Sequence, residues 1–287
     1  LWSTPRKDYE KEALEMANQA DVVLLFMGLS PRLEGEEMPV HVKGFSGGDR
    51  VRIDLPDLQQ EFIKKIVAIG KPTVLVMLNG SAVSINWENE NIPAILDAWY
   101  PGQAGGTAIA DVLFGDYNPA GRLPLTFYKN ATDIPDFENY NMDGFTYRYF
   151  GGEVLYPFGF GLSYSEFEYS QLSISDDEIS TSSDKAVKIT VDVKNTSDRA
   201  GEEVVQLYIA DKSSKDPRPI KDLRGFSRVH LEPGEQKTIE FSVSLKDLSY
   251  WNIEEQKYVP TQGVYDLFVG SSSADADLNQ ISLNVKP

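Results

Sequence analysis

Two apolar runs near the start of the chain, VVLLFMG (22–28) and TVLVML (73–78), show no alternation of apolar with polar residues. A strand wetted on one face reads with period two, whereas a continuous run of this length suits a strand covered on both faces of a parallel sheet. The segments around them have helical periodicity. DYEKEALEMANQ (8–19) places Ala13, Leu14, Met16 and Ala17 on one side. DLQQEFIKKIVAIG spaces Leu58, Phe62, Ile66 and Ile69 as a helix does and stops at Gly70. A short apolar segment, IPAILDAWYP, then a glycine turn and the helix pattern GTAIADVLFG complete the series. Strands alternating with helices in this way predict a three-layer α/β sandwich over residues 1–128.

The pattern changes after that. Residues 129–165 are rich in aromatics, Gly, Pro and Asn, too aromatic for a flexible spacer and too broken for a helix. They are expected to form an ordered interdomain linker, with its rings packing across the domains rather than serving as a sugar platform. From 166 to 287, VKITVDVKN, EVVQLYIAD, KTIEFSVSL and VYDLFVGSS alternate at period two between turn signals such as Glu232-Pro233-Gly234. That spacing predicts a β-sandwich of immunoglobulin or fibronectin-III type, with Tyr265 anchoring one end.

Composition removes several function classes. Acidic residues outnumber basic ones 44 to 27, and a net charge of −17 opposes binding to nucleic-acid phosphates. No apolar run approaches the roughly 20 residues of a membrane span. There are no cysteines, hence no disulfides or thiolate metal sites, and the two histidines, His41 and His230, lie far apart in the sequence. Gly102, Gly105 and Gly106 lack the spacing of a phosphate-binding loop, so neither cofactor nor metal is expected. The opening LWSTPRKDYEKEALE has no basic region followed by an apolar one, so no signal peptide is visible in it.

The least ordinary stretch is the connection from 28 to 56, GLSPRLEGEEMPVHVKGFSGGDRVRIDLP. Strand-to-helix connections usually take a few residues, and a longer one without periodicity is functional or disordered. Loops at the carboxyl ends of parallel strands are also where open α/β sheets place ligands. This loop concentrates Glu34, Glu36 and Glu37, followed by Asp49-Arg50. By residue type alone, the three acids read either as a solvated charged loop or as a carboxylate site. Their spacing is not that of a calcium-binding loop. Trp99 and Tyr100 can stack on a sugar face, but burial is the expected role.

In sequence, the 28–56 loop resembles the acid/base loop of glycoside hydrolase family 3, the β-glucosidases and β-xylosidases. AWYPGQAGGTAIADVLFGDYNPAGRLPLTF (98–127), LYPFGFGLSYSEF (155–167) and DLRGFSRVHLEPGE (222–235) resemble further family blocks in the same order. LEGEEMPV with GFSGGDR is closer to the β-xylosidase-like branch. The resemblance implies a retaining β-glycosidase acting on terminal β-xylosides or β-glucosides, with an oligosaccharide or aryl glycoside as substrate. It implies Glu36 as general acid/base, with Glu34 as runner-up, and Glu37, Asp49 and Arg50 as loop support. It further implies a fibronectin-III-like domain over 166–287, an α/β sandwich incomplete at its N-terminal end, and an absent (β/α)8 barrel that carries the nucleophilic Asp. Without a barrel the loop is expected to be poorly ordered or rearranged between residues 30 and 50. A periplasmic or secreted location follows by the same analogy. The reading from a different class is a non-catalytic carbohydrate-binding or interaction module.

Overall fold

The computed structural model describes residues 7–34, 40–47 and 49–287. The chain forms two compact units. One runs through Leu113 and takes in Phe127–Ile134 and Glu153–Leu155; the other comprises Phe114–Thr126, Pro135–Gly152 and Tyr156–Pro287. The aromatic stretch 129–165 is therefore shared out between the two units instead of forming a body of its own.

The first unit runs α1 (Lys7–Gln19), β1 (Val23–Gly28), α2 (Asp57–Val67), β2 (Thr73–Leu78), α3 (Asn86–Asn91), β3 (Ala94–Asp97) and α4 (Gly105–Phe114). Its sheet has the order β1-β2-β3, with β2 central and both pairings parallel. The registers Val23↔Thr73 through Gly28↔Leu78 and Val74↔Ala94 through Met77↔Asp97 bring the three carboxyl ends to one edge. β2 matches its continuous apolar pattern: Leu75, Val76 and Met77 are all buried, so both of its faces are covered. β1 differs. Leu25 is buried, but Leu24 and Phe26 are 43% and 47% exposed, because β1 is an edge strand with cover on one face among the described residues.

Helix α2 packs against β1, and α1 packs against α2. Asp57 in the first turn of α2 and Lys64 and Lys65 in its last suit the helix dipole. Gly70, at φ +80°, takes the left-handed conformation that ends such helices and donates its N–H to Val67 O. The buried stripe is centred on Ile63 and Ile66, which rotates Leu58 out to solvent. Among the described residues of α1 only Ala17 is buried, and Met16 is exposed. Periodicity thus located both helices but overstated their apolar faces.

The second unit contains the β-sandwich. One sheet has the strand order Gln236–Val243, Val187–Asn195, Phe167–Ile174. The other runs Asp222–Leu231, Gly201–Asp211, Gly263–Gly270, Leu278–Lys286, Glu178–Ser180. Ile189, Val191 and Val193 from the first sheet meet Val205, Leu207, Leu267 and Leu283 from the second in one apolar core. Val187–Asn195 alternates strictly in burial, as a strand with one wet face must. Tyr265 is buried, and its hydroxyl lies 3.1 Å from Leu248 O and 3.0 Å from Thr261 O, pinning the chain at the start of its strand. Within this unit Tyr147 stacks on Phe158 and meets Tyr208 edge-on, whereas Phe137 and Tyr140 are almost wholly exposed.

Candidate functional site

The long loop begins at Gly28, a position that only glycine fits. Its φ is +134°, and a Cβ there would lie 2.0 Å from Leu78 O. Gln59 in α2 then grips Gly28 from both sides: it accepts from Gly28 N at 2.8 Å and donates to Gly28 O at 2.7 Å. Leu29 N donates to Leu78 O at 2.6 Å. The exit of the loop is thereby tied to the helix that follows the loop's return.

The returning arm is equally pinned. Phe45–Ser46 pairs with Asp49–Arg50 in a short antiparallel ribbon. Ser84 N donates to Ile53 O at 2.8 Å, and Asp54 bridges to Ser84. Arg52 joins Asp54 and Asp57, and Lys43 also reaches Asp57, at 2.7 Å. Hydrogen bonds from Arg52 and Gln60 hold the Asp54 carboxylate below its ordinary pKa range against the opposing effect of burial.

Between these arms, three segments converge on Glu34 at the carboxyl edge of the sheet. Ser81, three residues beyond β2, donates to Glu34 Oε1 at 2.8 Å. Tyr100, three residues beyond β3, donates to Glu34 Oε2. Arg50 donates to Ser81 Oγ at 2.8 Å and to Ala82 O at 3.2 Å, with its guanidinium 3.6 Å from Glu34 Oε1. The Arg50 and Glu34 side chains are 13% and 16% exposed. Burial and then Glu34 push the Tyr100 phenol above its ordinary range, so it remains a neutral donor. Burial pulls Arg50 down from the usual guanidinium value while Glu34 opposes the change. Gly80 keeps the two turns in contact, since a Cβ there would lie 2.7 Å from the Tyr100 ring.

Asp97 is the last residue of β3, three residues before Tyr100. Its Oδ1 accepts from Trp99 N at 3.3 Å, and the nearby Asn79 side-chain amide donates to Ser81 O at 3.0 Å. Its Oδ2 has no partner among the described residues, and the same holds for Asn79 Oδ1. Burial pushes the Asp97 carboxyl up to about 6. Trp99 sits at φ +53°, unusual for a bulky side chain, with its ring edge-on to Phe127 at 6.2 Å.

The family model for the glycosyl hydrolase family 3 C-terminal domain matches residues 4–164, more than half of the chain. The chain belongs to glycosyl hydrolase family 3. A fibronectin type III-like domain matches residues 203–273 of this family 3 chain. It is 42% identical to a xylan 1,4-beta-xylosidase of Xylanibacter ruminicola over 97% of its own length and 32% of the relative's. It is 38% identical to a periplasmic beta-glucosidase of Salmonella typhimurium, covering 92% of this chain and 34% of that protein. Among solved structures, the GH3 beta-glucosidase of Bifidobacterium adolescentis superposes with a TM-score of 0.85 at 34% identity, covering 99% of this chain and 42% of that one. The family 3 chain thus spans about a third of the length of the curated relatives it matches. The α/β and fibronectin-III-like fold read from the sequence is the fold of these relatives.

Of the residues singled out in the sequence, Glu36 and Glu37 lie outside the described residues. Glu34 and Arg50 come together in the clamp, while Asp49 is exposed and its backbone pairs with Ser46. Tyr100 has a polar role in place of the expected burial, its hydroxyl holding Glu34. Ser81, Asn79 and Asp97 were not anticipated. Asn79-Gly80-Ser81, a polar triplet directly after an apolar strand, was the available signal for two of them.

Proposed function

We propose that this family 3 chain is the carboxy-terminal part of a retaining β-glycosidase and supplies the general acid/base from the loop between β1 and α2. The substrates are terminal β-xylosides or β-glucosides. The observation that carries the reading is the clamp on Glu34. Both of its oxygens accept hydrogen bonds from the segments that follow β2 and β3, so Glu34 is held as an anchor of the loop. The anchor fixes the described part of the loop at the carboxyl edge of the sheet, where α/β folds place ligands. On this reading Glu36 is the proton donor, Glu34 and Arg50 support the loop, and Glu37 and Asp49 are further candidates for that support.

Retaining hydrolysis needs a second carboxyl group about 5–5.5 Å from the first, across the scissile bond. The proposed source is an Asp on a (β/α)8 barrel of the same enzyme. The relative named a periplasmic beta-glucosidase supports a periplasmic or secreted enzyme, and the one named a xylan 1,4-beta-xylosidase supports β-xylosides among its substrates. The test is Glu36→Gln in the complete enzyme. Glycosylation should slow most for poor leaving groups and least for activated aryl glycosides, with azide restoring turnover of the glycosyl-enzyme. Full activity in Glu36→Gln, together with this profile in Glu34→Gln, would transfer the role to Glu34.

A further inference from the structure

We propose that Gln59 is a positioning residue for the acid-bearing loop: its carboxamide fixes the direction in which the chain leaves β1, and through the turn that follows it sets how the loop runs up to and past Glu34. The proposal rests on the reading of this loop as the one that carries the acid.

A residue in a strand presents its N–H and C=O to the same side, where a neighbouring strand satisfies both. Gly28 ends β1, an edge strand among the described residues, and Gln59 does for it what such a neighbour would. Gln59 Oε1 accepts from Gly28 N at 2.8 Å, and Gln59 Nε2 donates to Gly28 O at 2.7 Å. The pair joins residues 31 apart and closes the loop at its neck. Only a group with a donor and an acceptor side by side makes it; a carboxylate lacks the donor and an aliphatic side chain lacks both.

What the neck fixes is passed on within a few residues. Leu29 is buried, and its N–H donates to Leu78 O at 2.6 Å. Ser30 then organises the next turn: its carbonyl accepts from Leu33 N and from Glu34 N, both at 2.9 Å, and its hydroxyl accepts from Leu33 N at 3.2 Å. Leu29 alone thus separates the pinned Gly28 from the turn that ends at Glu34. A segment held at one point can swing about it. The clamp from Ser81 and Tyr100 on Glu34 is one point, the Gln59 pair on Gly28 is the other, and together they set the direction in which the chain continues past Glu34.

The start of α2 links this arm to the returning one. Asp57 meets Arg52 and Lys43, and Gln60 donates to Asp54 Oδ2 at 3.0 Å and to Leu55 O at 2.6 Å. Gln59, between them in sequence, reaches the outgoing arm instead. The backbone N–H groups of Gln59 and Gln60 both donate to Pro56 O, so one helical turn holds the grips on both arms in a fixed relation. Gln59 acts on the loop's backbone and not on substrate. Its loss is felt at the chemistry because a displacement of about 1 Å, originating far from the reacting atoms, costs about 100-fold in rate.

Two measurements test this. In the 287-residue chain, Gln59→Leu should raise hydrogen exchange at Leu29, Leu33 and Glu34 at least several-fold while the amides of Val187–Asn195 are unchanged. In the complete enzyme, kcat/KM, which reports the glycosylation step, should fall about 10- to 100-fold for poor leaving groups and less than about threefold for activated aryl glycosides, because a misplaced acid matters only where the leaving group needs its proton. A contact that only stabilised the fold would depress all substrates alike. Gln59→Glu is the second variant. It keeps the length and the acceptor for Gly28 N but turns an acceptor toward Gly28 O, and the same dependence on leaving group is expected of it. Unchanged exchange at Leu33 and Glu34, or a uniform loss across leaving groups in either variant, would overturn the proposal. The acid assignment is judged separately. Full activity in Glu36→Gln beside leaving-group dependence in Gln59→Leu moves the acid to another residue of the loop and leaves Gln59 in its role, whereas the reverse pair of results overturns the role of Gln59 alone.

Discussion

Tyr100 donates its phenolic hydrogen to Glu34, and this bond closes a gap of 66 residues in the chain. Replacing Tyr100 by Phe leaves Glu34 Oε2 to water. Tyr100 is 37% exposed, so solvent substitutes readily, and the cost is expected to be about 1 kcal/mol or less. The local effect should exceed the global one: hydrogen exchange at residues 30–34 should rise at least several-fold while the sandwich amides are unchanged. Equal changes in both regions would place Tyr100 in the general stability of the fold.

Asp97 sets a stability slope. Its folded pKa, at about 6, lies above the unfolded value, so the native state holds the proton more tightly. Its contribution is therefore fully present below about pH 4, falls as the pH rises, and is lost above about pH 6. Asp97→Asn removes the ionisation and should be the more stable form at pH 7.5, by up to about 3 kcal/mol, with the difference vanishing near pH 4. Urea unfolding of both proteins at the two pH values isolates this group from the other carboxylates.

Gly28→Ala should be severely disruptive. The added Cβ would fall 2.0 Å from Leu78 O at a φ of +134°, and the obstacle is backbone rather than a movable side chain. A loss of at least about 2–3 kcal/mol is expected, measured as a lowered unfolding midpoint for the α/β unit. A change within experimental error would mean that β1 and β2 can separate at their carboxyl ends.

In the second unit, Arg122 donates to Glu203 Oε2 at 2.8 Å, Tyr169 donates to Glu203 Oε1 at 3.0 Å, and the Arg122 and Glu203 side chains are only 9% and 3% exposed. Removing one partner strands the other charge. Glu203→Gln and Arg122→Met should each cost about 3–5 kcal/mol, while the double variant should recover a substantial part of the sum. Additive losses in urea denaturation would argue against a coupled pair.

The chain by itself should show no appreciable turnover of aryl β-xyloside or β-glucoside, because its candidate catalytic acids, Glu34, Glu36 and Glu37, come from a single loop and a retaining site needs a carboxylate on each side of the bond. Losing a nucleophile costs several orders of magnitude. An assay of the purified chain, alone and mixed with an upstream barrel portion, checks this. Turnover by the chain alone that is abolished in Glu36→Gln would mean that a second carboxylate has been overlooked.

Local rules carried the architecture a long way. The uninterrupted TVLVML specified a central strand because a strand buried on both faces suits five successive apolar residues. The alternation in VKITVDVKN specified a one-sided strand with the same boundaries as the structure. The length and charge of 28–56 marked it as something other than a connector. What periodicity could not decide was which side of each element meets a neighbour. Leu58, Met16, Leu24 and Phe26 fit their apolar patterns yet face solvent, because burial depends on what packs there and not on the repeat. The clamp was equally out of reach. Glu34, Arg50, Ser81, Asp97 and Tyr100 span 66 residues and carry no shared spacing. Parallel pairing of β1, β2 and β3 in a fixed register aligns their carboxyl ends, and that alignment, with the ties on the two arms of the loop, brings Glu34, Arg50, Ser81 and Tyr100 together.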